Sequence, residues 1–391
     1  MNIDKFTSVK YLQSTGYKYF MPEKVNANWF WSDPQINSLL ERASYLFSNS
    51  IFLMKKLLPI LVFIFSITAC SKKIHDTSII SKGETITIAA NAKDTLEWIN
   101  TGTAGVIARY KTTAIIIDPF ISNPPIKKVA FGKIIPDTAL VEKIYSNEIL
   151  NQTKAVFVGH GHYDHIIELP AIAARLNPDA TVFCSNSTKN LLAPTSLNKI
   201  VDAEQFAVNH LQEGTWLYNS DSSVRSMAFL GTHPPHFLGI TLYKGNAKKP
   251  LKKLPNRAKQ WKLGTALTYL IDFMENGKPV FRIFTQSSSC KDSVGLFPTT
   301  LLKEKGVDVS FSGAATAGSR IAYLQRTIDI AQPKIMVLTH WENFFHPFNP
   351  SAPEGIAKSN IPKLYNLLQQ SHGNKTKIIL PQPGSRFVLL R

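Results

Sequence analysis

Residues 154–169 read KAVFVGHGHYDHIIEL, and the histidine spacing inside this stretch decides how the rest of the chain is read. The apolar run Ala155, Val156, Phe157 and Val158 predicts a strand. It stops at Gly159, and His160, His162, Asp164 and His165 follow within six residues. On extended backbone His160 and His162 project to the same side, because side chains alternate with a period of two. Gly159 and Gly161 permit a tight turn. Asp164 and His165 fall past that turn. Imidazole and carboxylate together suit zinc, with iron and manganese as less favoured choices. The pattern therefore predicts one cation gripped by His160 and His162, and a second beside it gripped by Asp164 and His165. In two-metal sites such ions lie roughly 3.5–4 Å apart and clamp a water and a scissile group between them.

The motif H-x-H-x-D-H after an apolar strand resembles that of the metallo-β-lactamase-fold superfamily of metallohydrolases. Other segments match in order. LEWINTG at 96–102 and AIIIDP at 114–119 resemble the opening hairpin and its DP turn, and VLTHW at 337–341 resembles the late strand that ends in a metal-binding histidine. THPPHF at 232–237 and HWENFF at 340–345 are most similar to the branch containing N-acylphosphatidylethanolamine-hydrolysing phospholipase D and the lactonase-like proteins. The resemblance runs from about residue 90 to the C-terminus. It implies an α/β fold, a four-layer αββα sandwich, with a zinc site at the edge where loops leave the two sheets. A strand-rich reading agrees, with strand-like runs at 85–89, 95–100, 105–110, 114–118, 155–158, 181–184, around 201, 215–218, 224–230, 265–273, 280–284, 307–311, 335–339 and 377–380. Helices are expected at 166–176, 187–192, 323–330 and 361–370.

Further ligands follow from the resemblance. The strand at 224–230 leads into Gly231-Thr232-His233, so His233 is expected to join His160 and His162. His236, three residues on across Pro234-Pro235, is the next candidate, or else a residue that contacts substrate or orients a ligand. His340 is expected to join Asp164 and His165. The superfamily also carries a bridging aspartate after the strand between these last two histidines. Here that region reads FRIFTQSSSCKD (281–292), and Gln286 or Ser287 stands at the carboxylate position. A second metal is accordingly predicted to bind more weakly or not at all, unless Cys290 or Asp292 substitutes. With one metal, Asp164 would double as general base.

The chain carries a formal charge of +17, and KGNAKKPLKKLPNRAKQWKL at 244–263 holds eight Lys or Arg and no acid. Lys252 and Lys253 are read as an arm for an anionic headgroup or phosphate, with a solvated linker as the alternative. Trp341, Phe344 and Phe345 are read as an apolar pocket wall, with core packing as the other use. The expected activity is hydrolysis by a metal-activated water, on a phosphodiester of phospholipid type. The alternatives are a lactone or amide of neutral charge, or a metal-binding lipoprotein without turnover. No zinc finger, RNA-recognition or helix-turn-helix pattern is present, so nucleic acid is not expected.

Residues 54–70, MKKLLPILVFIFSITAC, form a short basic start, an apolar run and a small-residue end. That is the pattern of a secretory signal peptide, and ITAC resembles the bacterial lipobox. It predicts lipidation of Cys70, a bacterial envelope location facing the periplasm, and a tether at 71–88 leading into a hydrolase domain at 89–391. Residues 1–53 resemble the N-terminal segment of Fic-type adenylyltransferases but lack the catalytic motif of that family. Translation from Met54 is the expectation. Cys184 reads as a buried strand thiol, with pairing to Cys290 as the alternative.

Overall fold

A computed structural model describes residues 38, 72–88, 92–236, 240–288, 291, 293–315, 321–357 and 359–391. The chain divides into a unit Met1–Leu61 and a unit Val62–Arg391. The signal segment, Cys70, the Fic-like segment, Phe237, Cys290 and Asp292 lie outside the described residues.

Two eight-stranded sheets form the second unit. The first runs, edge to edge, Thr85–Thr87, Arg386–Leu390, Thr95–Gly102, Gly105–Tyr110, Thr113–Ile117, Thr153–Phe157, Thr181–Cys184 and Lys199–Asp202. The second runs Leu217–Tyr218, Val224–Leu230, Leu267–Glu275, Lys278–Gln286, Val309–Gly313, Ile335–Thr339, Lys377–Pro381 and Ile80–Ser81. In both, antiparallel hairpins give way to parallel crossovers through helices, the connection that parallel strands require.

Alternation along each strand explains the layers. Leu96, Trp98, Val106, Ala108, Ile115 and Phe157 of the first sheet face Ile271, Phe273, Ile283, Phe311 and Val337 of the second. The opposite face of the first sheet (Ile116, Val156, Val182) meets Tyr145, Leu150 and Ile166 from helices. The opposite face of the second (Met336, Leu338, Ile378) meets Leu324, Ile328, Leu364 and Leu368. This is the expected four-layer αββα sandwich. Asp272 centres a buried ion cluster in the second sheet, pairing with both Arg225 and Arg282. Arg282, 0% exposed, spans both oxygens of Asp272 at 2.6 and 2.8 Å and donates to the carbonyls of Leu301 and Lys305. It thereby ties the turn Thr299–Lys303 to the sheet.

Three expectations change. Residues 72–88 are built into the sandwich rather than forming a free tether. Lys72–Lys73 pair with Glu354–Gly355, Ile80–Ser81 extend the second sheet, and Ile74 and Ile80 are buried, while Thr85–Thr87, within the run expected as a strand, extend the first sheet. The helix expected at 166–176 is broken into Tyr163–Ile166, Leu169–Ile172 and a 3-10 turn at Ala173–Arg175. Pro170 lacks the N–H that a continuous helix would use. Between 119 and 152, where no element was expected, lie the helices Ile126–Phe131, Thr138–Ile144 and Asn147–Gln152. Asp137 and Ser146 cap the last two, accepting from the N–H of Leu140 and of Ile149.

Candidate metal centre

Five strands send their C-terminal ends to one edge of the sandwich: Thr113–Ile117, Thr153–Phe157, Val224–Leu230, Lys278–Gln286 and Ile335–Thr339. Ligands of open α/β sheets bind at such carboxyl edges. The H-x-H-x-D-H turn is clamped there by backbone bonds to the opposite sheet. Leu267 N–H donates to Gly159 O at 2.7 Å, and Gly161 N–H donates to Leu263 O at 2.9 Å. Both glycines are required by close approach. A Cβ at Gly159 would lie 2.6 Å from Ser287 Oγ, and one at Gly161 would lie 2.3 Å from Lys262 O.

The side chains gather into two triads. His160, His162 and His233 bring ring nitrogens within 4.8 Å of one another, and Asp164, His165 and His340 do the same. His160 Nε2 lies 3.1 Å from His162 Nδ1. Two nitrogens on one tetrahedral zinc, each about 2.05 Å from it, lie roughly 3.3 Å apart, so this pair is spaced as two ligands of one ion are. Asp164 Oδ2 is 3.4 Å from His340 Nε2 and 3.7 Å from His165 Nε2. The rings of His160 and His165 have centroids 3.9 Å apart, so the triads adjoin. His165 Nε2 is buried without a hydrogen-bond partner, as a nitrogen reserved for a cation would be. The donor set therefore fits divalent metal at both triads.

The choice between His233 and His236, open in the sequence, turns on tautomers. His233 Nδ1 faces the Pro234 carbonyl at 2.7 Å, so that nitrogen carries the proton and Nε2 keeps its lone pair. In His236 the polarity is reversed. Its Nδ1 accepts from Leu242 N–H at 3.0 Å, which puts the proton on Nε2. Neutral His236 is thus a donor, stacked on His233 with centroids 4.7 Å apart. Burial pushes it down to about 4, so it is neutral at physiological pH. Burial likewise lowers His162 to about 3 and His160 and His233 well below the ordinary range. His165 behaves differently. Burial pushes it down, but the neighbouring carboxylates of Asp118 and Asp164 outweigh that and raise it.

Asp118 carries a role that its sequence position, in the DP turn, did not disclose. It is fully buried; Oδ1 accepts from Gly159 N–H at 2.7 Å, and Oδ2 sits 3.1 Å from His165 Nδ1. That second approach is a charge contact and is not aligned as a straight hydrogen bond. Asp118 and His340 both hold positive φ, 42° and 56°. Such backbone strain in a non-glycine residue persists where the surroundings over-determine it. His340 N–H donates to Thr103 O at 2.6 Å, and the buried Glu342 accepts from Thr103 N–H, so the hairpin turn at 102–105 fixes the last histidine.

The remaining expectations divide. Gln286 turns away from the histidines: its Oε1 accepts from Thr327 Oγ1 at 2.8 Å. Ser287 stands beside Gly159 in its place, and neither brings a carboxylate. Trp341 is a core residue rather than a pocket wall, 1% exposed with its indole N–H on Pro381 O at 2.9 Å. Phe344 does reach the site and packs edge-on to His340 at 5.1 Å, with Phe345 against it at 4.6 Å. Lys252 and Lys253 are exposed. Cys184 is a free buried thiol. Tyr243 was not singled out from sequence. Its ring lies 6.3 Å from that of His162, and burial raises its hydroxyl to about 12, keeping it protonated.

No family model matches the sequence. Among solved structures the chain is similar to Igni18, a metallohydrolase from Ignicoccus hospitalis, at 15% identity and TM-score 0.46, covering 75% of this chain and 98% of that one. It is similar to the metallo-β-lactamase-fold protein YhfI from Bacillus subtilis, at 12% identity and TM-score 0.43, covering 76% and 99%. It is similar also to yeast PDE1, at 10% identity and TM-score 0.43, covering 76% and 100%.

Proposed function

We propose that this protein is a metal-dependent hydrolase acting on a phosphodiester. The observation that carries the reading is the convergence of two ligand triads, with Asp164 joining the second, in one pocket at the carboxyl edge of both sheets. His160, His162 and His233 would hold one cation, and Asp164, His165 and His340 a weaker one. A divalent cation there supplies Lewis-acid polarisation and brings the pKa of water toward about 7. Asp164 is ionised, since the adjacent His165 and His340 outweigh its burial and hold it well below the ordinary range. Where the weaker cation is not bound, Asp164 would serve instead as the general base that accepts the proton of the attacking water. His236 presents Nε2–H, and Tyr243 is a second neutral donor near the same ring cluster. Donors so fixed stabilise charge that develops on a substrate oxygen. The basic segment that leaves Tyr243 favours an anionic substrate.

A second reading is hydrolysis of a neutral lactone or amide, which the two uncharged donors would also suit. A third is a metal-binding protein without turnover, favoured by the lack of a carboxylate at Gln286 and Ser287. The experiment loads the protein with zinc, manganese or iron and offers bis(p-nitrophenyl) phosphate, an acyl lactone and an anilide. Metal-dependent release from the phosphodiester, lost in His160→Ala/His162→Ala, is the expected result. Turnover of the lactone alone selects the second reading, and bound metal with no turnover selects the third. For its location we propose the bacterial envelope, with Cys70 lipidated and translation starting at Met54. An intact mass retaining Met1 and an unmodified Cys70 would refute this.

A further inference from the structure

Two segments leave the metal-site loops and meet again at the surface. Residues 119–137 run on from Asp118, and residues 244–263 run on from Tyr243. They are joined to each other: Ile134 N–H donates to Asn256 O at 2.8 Å, and the Arg257 guanidinium donates to Phe131 O at 3.4 Å. Beneath them, Val129, Ile134, Ala258 and Trp261 share one buried cluster. The second segment is also pinned to the helix Asn186–Leu192, with Leu251 N–H on Asn190 O at 3.0 Å and Asn190 Nδ2 on Ala247 O at 2.7 Å. A solvated linker would not be held in this way, so the surface they form is a built one.

That surface is basic and unneutralised. Lys128 and Lys133 come from the first segment, and Lys252, Lys253, Arg257 and Lys259 from the second, all exposed. Among the described residues none of the six has a carboxylate within ion-pair distance. Some exposed bases elsewhere are paired, as Lys111 is with Glu275, Lys377 with Glu84 and Arg386 with Glu97, and others such as Lys143 and Lys278 stand alone among the described residues, so what marks this face is the clustering of its bases around apolar side chains. Set among the six are three large apolar side chains turned to water: Phe131 at 48% exposure, Ile135 at 71% and Leu254 at 39%. A free phosphate has no use for them. A nucleic acid would call for several aromatic platforms and arginines, and here five of the six cations are lysines and Phe131 is the one aromatic among the three apolar side chains.

We propose that this face docks on an anionic lipid leaflet, with the lysines at the headgroups and Phe131, Ile135 and Leu254 inserted at the acyl boundary. Charge attraction plus shallow apolar insertion is how interfacial segments bind membranes. The docking needs no metal and no turnover, so it stands apart from the hydrolase reading. It would hold the carboxyl edge of the sandwich toward the bilayer.

The test is flotation of the mature chain from residue 70 onward, carrying Cys70→Ser so that neither an acyl chain nor the apolar segment 54–69 contributes, with phosphatidylcholine vesicles that contain or lack phosphatidylglycerol. Binding is expected only with the anionic lipid and should weaken with salt. Each lysine removed near an anionic surface should cost about fivefold, so Lys252→Gln/Lys253→Gln should lower partitioning about 25-fold. Phe131→Ser/Ile135→Ser should also lower it, with unchanged circular dichroism in both variants. Equal binding to neutral vesicles, or binding that neither variant alters, would overturn the proposal. So would retention by a DNA duplex at the same affinity with no effect of the apolar substitutions, which would assign the face to nucleic acid.

Discussion

Asp118→Asn should separate the two triads. Asp118 touches no cation site itself, yet its carboxylate lies 3.1 Å from His165 Nδ1 and by charge attraction favours the proton on that nitrogen, leaving Nε2 for a cation shared with Asp164 and His340. An asparagine is the same size, and its Oδ1 can still accept from Gly159 N–H. Its amide NH₂, however, would face Nδ1 as a donor. That favours the tautomer with the proton on Nε2, which has no lone pair to give. Changes to such supporting carboxylates cost 10–100-fold in metal affinity, or about 1.4–2.8 kcal/mol. Folding should suffer less, about 1 kcal/mol for one charge-assisted contact made neutral. The assay is zinc titration against a competing chelator, read as two equivalents, alongside Tm with and without metal. The weaker equivalent should weaken further by one to two decades while the tighter one is unchanged. If both equivalents bind as in the unsubstituted protein, or if the tighter site weakens equally, the assignment of Asp118 to His165 is wrong.

Other outcomes follow from the same geometry. His233→Ala should lose the tighter metal, whereas His236→Ala should keep both metals and lower kcat by about 10²–10³-fold on the best substrate of the panel; metal loss in His236→Ala would reverse the two roles. Burial raises Glu168 to about 8, with Ser122 as the donor that partly offsets it. The folded protein therefore binds a proton that the unfolded chain has released above its ordinary value of 4.5. Stability should fall as pH rises between these values, by at most about 1.4 kcal/mol per unit, and level off above the upper one. Glu168→Gln should flatten that slope in urea titrations at several pH values. Asp272→Asn should cost about 3–5 kcal/mol by taking the shared carboxylate from two buried guanidinium groups, Arg282 and Arg225, seen as a large drop in the midpoint of chemical unfolding. A loss below about 1 kcal/mol would show that water reaches the guanidinium, since exposed pairs are worth no more.

The sequence by itself determined the parts of this protein that depend on local order. Short apolar runs specify the strands Val224–Leu230 and Ile335–Thr339 to the residue, and H-x-H-x-D-H specifies a turn that four ligand-type side chains share. Period-two alternation and glycine tolerance are properties of neighbours in the chain, so they can be read without a fold. Tertiary structure decided what depends on how a loop folds back on itself and on partners distant in sequence. The polarity of His236 is set by Leu242 N–H and that of His233 by its own turn. The burial of Trp341 is set by Pro381, and the value of Asp118 by a glycine and a histidine that follow it by 41 and 47 residues. Residues 72–88 look like a tether because their pairing partners are Glu354, Leu380 and Val388. A short polar strand acquires its stability only from the ladder that receives it, and a ring nitrogen acquires its role only from the atom across from it.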